Sequence, residues 1–361
     1  MTAPSTAPWD EAEFRDRLTD VLERFVDDQT SRLAALGPDA QRLLDAAREA
    51  VSGGKRLRAM FCQWGFRAVR APRDEVEELA LLRACGALEL LHASALVHDD
   101  LMDASDTRRG RPAVHRAFEE AHRAAGWRGT PEQYGAAAAI LLGDLLLVWA
   151  DELLRTCGLP GDVVAKALRW FDTTRSEVIT GQFLDVSVQA RGDADVEQAM
   201  RVLRYKSAKY SIERPLHVGA ALAGGAEDVF TALSGYGLPL GEAFQLRDDL
   251  LGVFGDASVT GKPAGDDLVE GKRTVLVALA LAGLDAEEGK LLDSSLGRPL
   301  TEDEVARLRG LIERSGAQAD VERRIAELTD GCLAALHDPT IAPEARDTLR
   351  SLAAAATQRS V

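Results

Sequence analysis

Residues 98–111 read His-Asp-Asp-Leu-Met-Asp-Ala-Ser-Asp-Thr-Arg-Arg-Gly-Arg, a tight cluster of carboxylates set against a tight cluster of arginines in a chain of net charge −15. On a helix Asp99 and Asp103 are four residues apart and share a face, with Asp100 one step round. Like charges at that spacing each cost a few tenths of a kcal/mol, so the pair calls for a cation between them. Mg²⁺ suits the position, because it takes oxygen ligands, draws one or two from carboxylates and fills its shell with water and substrate phosphates. Arg108 and Arg109 add forked donors that fit phosphate oxygens. A second segment, Gln245-Leu246-Arg247-Asp248-Asp249-Leu250-Leu251-Gly252, repeats the theme. Two such motifs on separate helices can clamp a metal cluster bound to a diphosphate.

The positioning elements are helical. Ala, Leu, Glu and Arg dominate, β-branched runs are short and aromatics make up 5 %, so strand signals are nearly absent. Leu81, Ala84, Leu88, Leu91, Ala95 and Asp99 follow at steps of three or four, an apolar stripe of about five turns that ends at the acids. By itself this is an ordinary core stripe; the arginines that follow make it the wall of a pocket. Breaks fall at 37–38, 53–54, 71–72, 126–131, 158–161, 192–193, 224–225, 255–265 and 297–299, with about a dozen segments of helical length between them. Short connections without strands predict an all-α, single-domain helical bundle, with residues 1–8 disordered and 9–361 forming the domain.

Hydrophobic content of 46 % suits a globular chain with a sizeable core. A pI near 5 argues against nucleic acid or an anionic membrane as a partner. Cys62, Cys85, Cys157 and Cys332 lie far apart and form no CxxC pair, which fits buried thiols in a reduced compartment. The N-terminus has no basic region followed by an apolar one, so no signal peptide is expected. Ala136–Ala150, the most apolar stretch, is interrupted by Gly143 and Asp144 and is shorter than a membrane span; the location expected is cytoplasmic.

Six blocks, in order, resemble the trans-isoprenyl diphosphate synthase (polyprenyl synthetase) family, and most closely a bacterial geranylgeranyl diphosphate synthase. They are Gly54-Lys55-Arg56-Leu57-Arg58; His92, seven residues before Asp99; Asp99 to Arg109; Gly181-Gln182; Lys206-Ser207; and Gln245 to Asp249 followed by Gly261-Lys262 and Gly271-Lys272-Arg273-Thr274. The resemblance spans residues 50–275. It implies an isoprenoid-synthase bundle around a central apolar cavity, working as a homodimer, that condenses isopentenyl diphosphate with an allylic diphosphate (dimethylallyl, geranyl or farnesyl) to a trans-polyprenyl diphosphate. By analogy Asp99, Asp103 and Asp248 are the Mg²⁺ ligands, up to three ions with diphosphate bound, with Asp100 and Asp249 beside them. Lys55, Arg58, His92 and Arg109 would hold isopentenyl diphosphate, and Arg108, Lys206, Lys262 and Lys272 the allylic diphosphate. Ser207 with Gln182 or Gln245 would offer uncharged dipoles near the developing cation, and the glycine-bearing loop around Lys262 would close as a lid.

Three departures stand out. Ala59 replaces a proline, Ser207 a threonine, and Gly252 occupies the place of the second motif's third acid, for which Asp256 or Asp266 could compensate. Small residues at Ser94 and Ala95, about one turn before Asp99, leave the pocket open towards Leu91 and Leu88, some 12 and 16 Å along the helix at about 1.5 Å per residue. That predicts a C20 product, geranylgeranyl diphosphate. A terpene cyclase would ionise an allylic diphosphate with the same clamp but needs no second diphosphate site, and a non-catalytic subunit or helical interaction protein would not need its Asp pairs.

Overall fold

The structure is a computed structural model that describes residues 9–192, 195–255 and 265–358; the expected disordered start and the Lys262 loop lie outside the described residues. Its contacts divide the chain into two compact units, one made of residues up to Gln63 with Ala71–Leu168, the other of Trp64–Arg70 with Arg169 onward.

The first unit contains α1 (Glu11–Leu33), α2 (Pro38–Val51), the start of α3 (Leu57–Arg67), α4 (Glu75–Met102), α5 (Val114–Ala125), α6 (Pro131–Arg155) and the start of α7 (Gly161–Arg191). Asp74 caps α4 by accepting from the Glu77 N–H at 2.9 Å, and Glu75, Glu77 and Glu78 follow in the first turn, where the helix dipole favours acids. The stripe read from the sequence is buried: Leu81, Ala84 and Leu88 are fully enclosed and Leu91 nearly so, each worth roughly 1–3 kcal/mol by apolar burial. The principal partner of α4 is α6. Near the end of α4 the His98 ring lies over Gly143, where a side chain would overlap it, and His98 Nε2 is 3.2 Å from the Ile140 carbonyl oxygen. Among the described residues α4, rather than the 136–150 stretch, is the helix long and apolar enough to cross a membrane, and 78 % of its most apolar window is buried within the protein.

Past α4, Thr107–Arg108 (β1) and Arg111–Pro112 (β2) pair as a minimal hairpin that the sequence reading did not expect. Arg109 (φ 54°) and Gly110 (φ 75°) turn it through the left-handed region, the geometry a two-residue hairpin loop requires.

The second unit contains α8 (Val196–Val202), a π-helix (Leu203–Glu213), α9 (Arg214–Leu222), α10 (Glu227–Phe254), α11 (Asp266–Glu270), α12 (Val275–Gly283), α13 (Ala286–Ser295), α14 (Glu302–Arg314), α15 (Ala317–Ala335) and α16 (Pro343–Thr357). Leu246, Leu250, Val253, Leu276, Ile312 and Val321 lie at the centre of its core. The count exceeds a dozen because Gly283, Gly297 and Gly316 cut the C-terminal third into short helices. The π-helix was read from sequence as ordinary helix. It runs directly into α9, whose Pro215 has no N–H for the preceding turn and so favours a rearranged ladder there. Bare helix surfaces flank it: a Cβ on Gly181 of α7 would lie 2.5 Å from the Lys206 nitrogen, and one on Gly241 of α10 2.5 Å from the Ala208 oxygen.

Candidate active site

In the first unit the acids close α4. Asp99 is in its last turn, Asp103 is the C-cap, with its N–H donating to the Asp99 carbonyl oxygen at 2.8 Å, and the last turn holds no basic residue. Acids at a helix C-terminus face the negative end of the dipole, so the chain places charge there against its own electrostatics. Asp100 is buried and takes a fork from Arg108, whose Nε donates to its two oxygens at 2.9 and 3.1 Å. The arginine expected to grip a diphosphate is thereby held in place by the neighbouring acid, and Asp100 is engaged in that pair.

The other basic residues gather around His92. Burial, then Arg58, Arg109, Arg108 and Arg56, hold the His92 imidazole well below the usual histidine range. It is neutral among cations, and an anion would relieve their mutual repulsion. Arg109 lies over Gly54, where a Cβ would come within 2.8 Å of its Nη2, and its Nη1 donates to the Ser52 carbonyl oxygen at 2.5 Å. Lys55 is exposed on the turn between α2 and α3, with Arg58 half-buried one turn on. Of the residues named from sequence, Arg58, Arg108 and Arg109 thus gather at His92, while the chain-length positions divide: Ser94, Leu91 and Leu88 face inward. These are buried, whereas Ala95 is half-buried like His92 and Asp99, because it lies four residues from Asp99 and Ser94 five.

In the second unit a relay of hydrogen bonds leads to the second motif. Ser207 Oγ donates to Gln245 Oε1, and Gln245 Nε2 donates to Asp249 Oδ1 at 2.9 Å. Lys206 Nζ donates to Asp185 Oδ2 at 2.6 Å, while Gln182 is half-buried on the same helix. Asp248 is exposed and Asp249 buried. Burial raises the Asp249 carboxyl to about 8, the Gln245 bond opposes this, and Asp267 and Asp248 add to it. The Gly252 departure has a spatial cause: the Asp267 carboxylate occupies the place a side chain at 252 would take. Lys272 Nζ lies 3.1 Å from Asp267 Oδ1 and 2.6 Å from Glu270 Oε2. Asp185 and Asp267 were missed from sequence. The first had a usable signal, Gly181-Gln182-x-x-Asp185, while the second, fifteen residues beyond Gly252 in the chain, had none. Of the compensating acids considered, Asp266 is not the one against Gly252, and Asp256 lies outside the described residues.

Among the described residues no group of three or more His, Cys, Asp or Glu side chains converges as a metal cage. The acids that cluster offer oxygen donors alone. An acid-bearing helix end and a buried carboxyl pushed up by neighbouring acids both fit a hard cation that takes one or two carboxylates and completes its shell elsewhere.

The polyprenyl synthetase family model matches residues 40–312. The chain belongs to the polyprenyl synthetase family. A geranylgeranyl pyrophosphate synthase from Corynebacterium glutamicum, solved with isoprenyl diphosphate and magnesium, is 42 % identical with a TM-score of 0.94, over 98 % of this chain and 100 % of that one. A geranylfarnesyl diphosphate synthase of Natronomonas pharaonis is 34 % identical over 68 % of this chain and 71 % of its own length. A geranylgeranyl diphosphate synthase of Saccharolobus solfataricus is 33 % identical over 74 % and 75 %. This polyprenyl synthetase is thus a trans-prenyltransferase of the all-α isoprenyl synthase fold.

Proposed function

We propose that the protein is a Mg²⁺-dependent synthase that condenses isopentenyl diphosphate with an allylic diphosphate and releases geranylgeranyl diphosphate. The observation that carries elongation over cyclisation is the cationic group around His92, to which Arg56 and Arg58 contribute from the α2–α3 turn and the start of α3, and which has the makings of a diphosphate site of its own. Isopentenyl diphosphate must keep its diphosphate while the allylic one leaves. A site of Lys55, Arg58, His92 and Arg109 binds such a group through charge and hydrogen bonds. Asp99, Asp103 and Asp248 would hold Mg²⁺, up to three ions with diphosphate bound, and Asp267 would stand in for the acid absent at Gly252. Bound Mg²⁺ supplies charge stabilisation to the departing diphosphate. Arg108, aligned by Asp100, and Lys206, aligned by Asp185, grip the same group, with Lys272 and Lys262 in the same role. Ser207 with Gln182 or Gln245 would offer uncharged dipoles near the allylic carbon that becomes electron-poor.

The family match covers residues 40–312 and takes in parts of both compact units; we read residues 9–361 as its catalytic domain. Ile140, Leu141 and Val148 on α6 are 48, 59 and 63 % exposed, an apolar face we assign to a second copy in a homodimer. Four buried free thiols agree with a cytoplasmic location.

The test is incubation of the purified protein with Mg²⁺, isopentenyl diphosphate and, in turn, dimethylallyl, geranyl and farnesyl diphosphates, with products resolved by carbon number. A dominant C20 product is expected. A C15 or a C30 and longer product overturns the chain length, and metal-dependent diphosphate release without elongation overturns the synthase reading.

A further inference from the structure

Within the first unit lies a charged pair that the mechanism does not use. Arg56 and Glu89 each keep 4 % of their side-chain surface exposed, with Arg56 Nη1 3.5 Å from Glu89 Oε2. Burying both charges is costly unless geometry and further hydrogen bonds repay it. The further bonds end on helix termini. Arg56 Nη2 donates to the Val51 carbonyl oxygen at 2.8 Å, at the last residue of α2, and Glu89 Oε1 accepts from the Ala59 N–H at 3.2 Å, in the first turn of α3. Each thus satisfies a backbone group that the helix end leaves open. Between these anchors runs the turn that carries Lys55. Arg56 itself sits at φ 54°, a left-handed conformation that is unfavourable for a non-glycine residue and persists where surrounding structure enforces it. Glu89 lies on α4 three residues before His92, one turn away on the same side. Burial, then repulsion from Arg56, Arg108 and Arg58, act against the charge on Arg109, and Glu89 is the acid that favours it.

We infer that Glu89 and Arg56 are positioning residues for isopentenyl diphosphate: by tying the ends of α2 and α3 to α4 they hold Lys55, Arg58 and Arg109 around His92 before the anion arrives. Glu89 supplies negative charge beside Arg56 and Arg109, and it does so buried, where it does not compete with the ligand for their outer faces. The inference rests on the assignment of this cluster as the isopentenyl diphosphate site.

The experiment is steady-state kinetics with each substrate varied at saturation of the other. Glu89→Gln keeps an acceptor for the Ala59 N–H and removes the charge. It is expected to raise KM for isopentenyl diphosphate about ten-fold, with KM for the allylic diphosphate and kcat within two-fold of the parent. Arg56→Lys keeps the charge, gives up the paired donors that reach Val51 and Glu89 and is expected to show the same selective rise; it also serves if the Gln variant fails to fold. An unchanged KM for isopentenyl diphosphate, or equal rises in both KM values, overturns the inference while leaving the synthase assignment intact. A parent protein that does not elongate overturns that assignment itself.

Discussion

Gly252→Ala separates a glycine kept for packing from one kept to make room for an acid. A methyl group there would overlap the Asp267 carboxylate, which must retreat by on the order of 1 Å to reach ordinary contact distance. Asp267 Oδ1 is 3.1 Å from Lys272 Nζ, and a charge-assisted bond of this kind is worth about 1.5–3 kcal/mol. Partial loss of that bond is opposed by alanine's helix propensity, which gains about 1 kcal/mol over glycine inside α10. Folding stability should therefore change by no more than about 1–2 kcal/mol, a few degrees in Tm for a chain of this size. The metal dependence should change more. With Asp267 displaced, the Mg²⁺ concentration for half-maximal activity is expected to rise about ten-fold, or ~1.4 kcal/mol, and Asp267→Ala should match it. The assay is a Mg²⁺ titration of product formation alongside thermal unfolding. An unchanged Mg²⁺ midpoint with a small Tm shift would refute the stand-in role of Asp267, and a large loss of Tm would show the glycine to be a packing requirement.

Three other outcomes follow from the same geometry. Asp249, raised to about 8 from an ordinary 3.8, binds its proton more tightly folded than unfolded, so its contribution is full below pH ~4 and is lost as pH rises towards 8. In EDTA, Asp249→Asn should gain about 1–3 kcal/mol on the parent between pH 5 and 8.5 by urea unfolding; parallel pH curves would contradict this, and the variant should lose most of its activity. Ala95→Phe, on the half-buried side of α4 shared with Asp99, should shorten the product towards C15 by chromatography. Ser94→Phe should do so at a further cost of about 1–3 kcal/mol for overpacking a buried position, and an unchanged C20 product from both would remove these residues from the pocket floor. Leu141→Asp with Val148→Asp should shift the protein to monomer in analytical ultracentrifugation, and a retained dimer would place the interface elsewhere.

The period-3.6 stripe of α4 and the lack of β-branched runs were sufficient to read the all-α class from the chain, and the ordered spacing of acids and bases was sufficient to read the family. All of these are local properties, set by repeats of three and four residues along one helix. His92 and Asp99 could be placed on one side of α4 because a helix fixes direction from sequence separation alone, whereas Asp103, read as a further helical position, is its C-cap. The β1–β2 hairpin and the π-helix were not legible, since one depends on a non-glycine residue accepting a positive φ and the other on a proline acting on the turn before it and on two glycines from distant helices. The same holds for the residues proposed to complete the site. Asp185 meets Lys206, Asp267 fills the space left by Gly252, and Glu89 meets Arg56 only after the helices have packed, because such contacts are set by where backbones approach and which charges are buried there. The sequence by itself determined what chemistry the chain carries and on which elements. The tertiary structure decided which of its many acids and arginines lie against one another, because those pairings depend on where distant backbones approach.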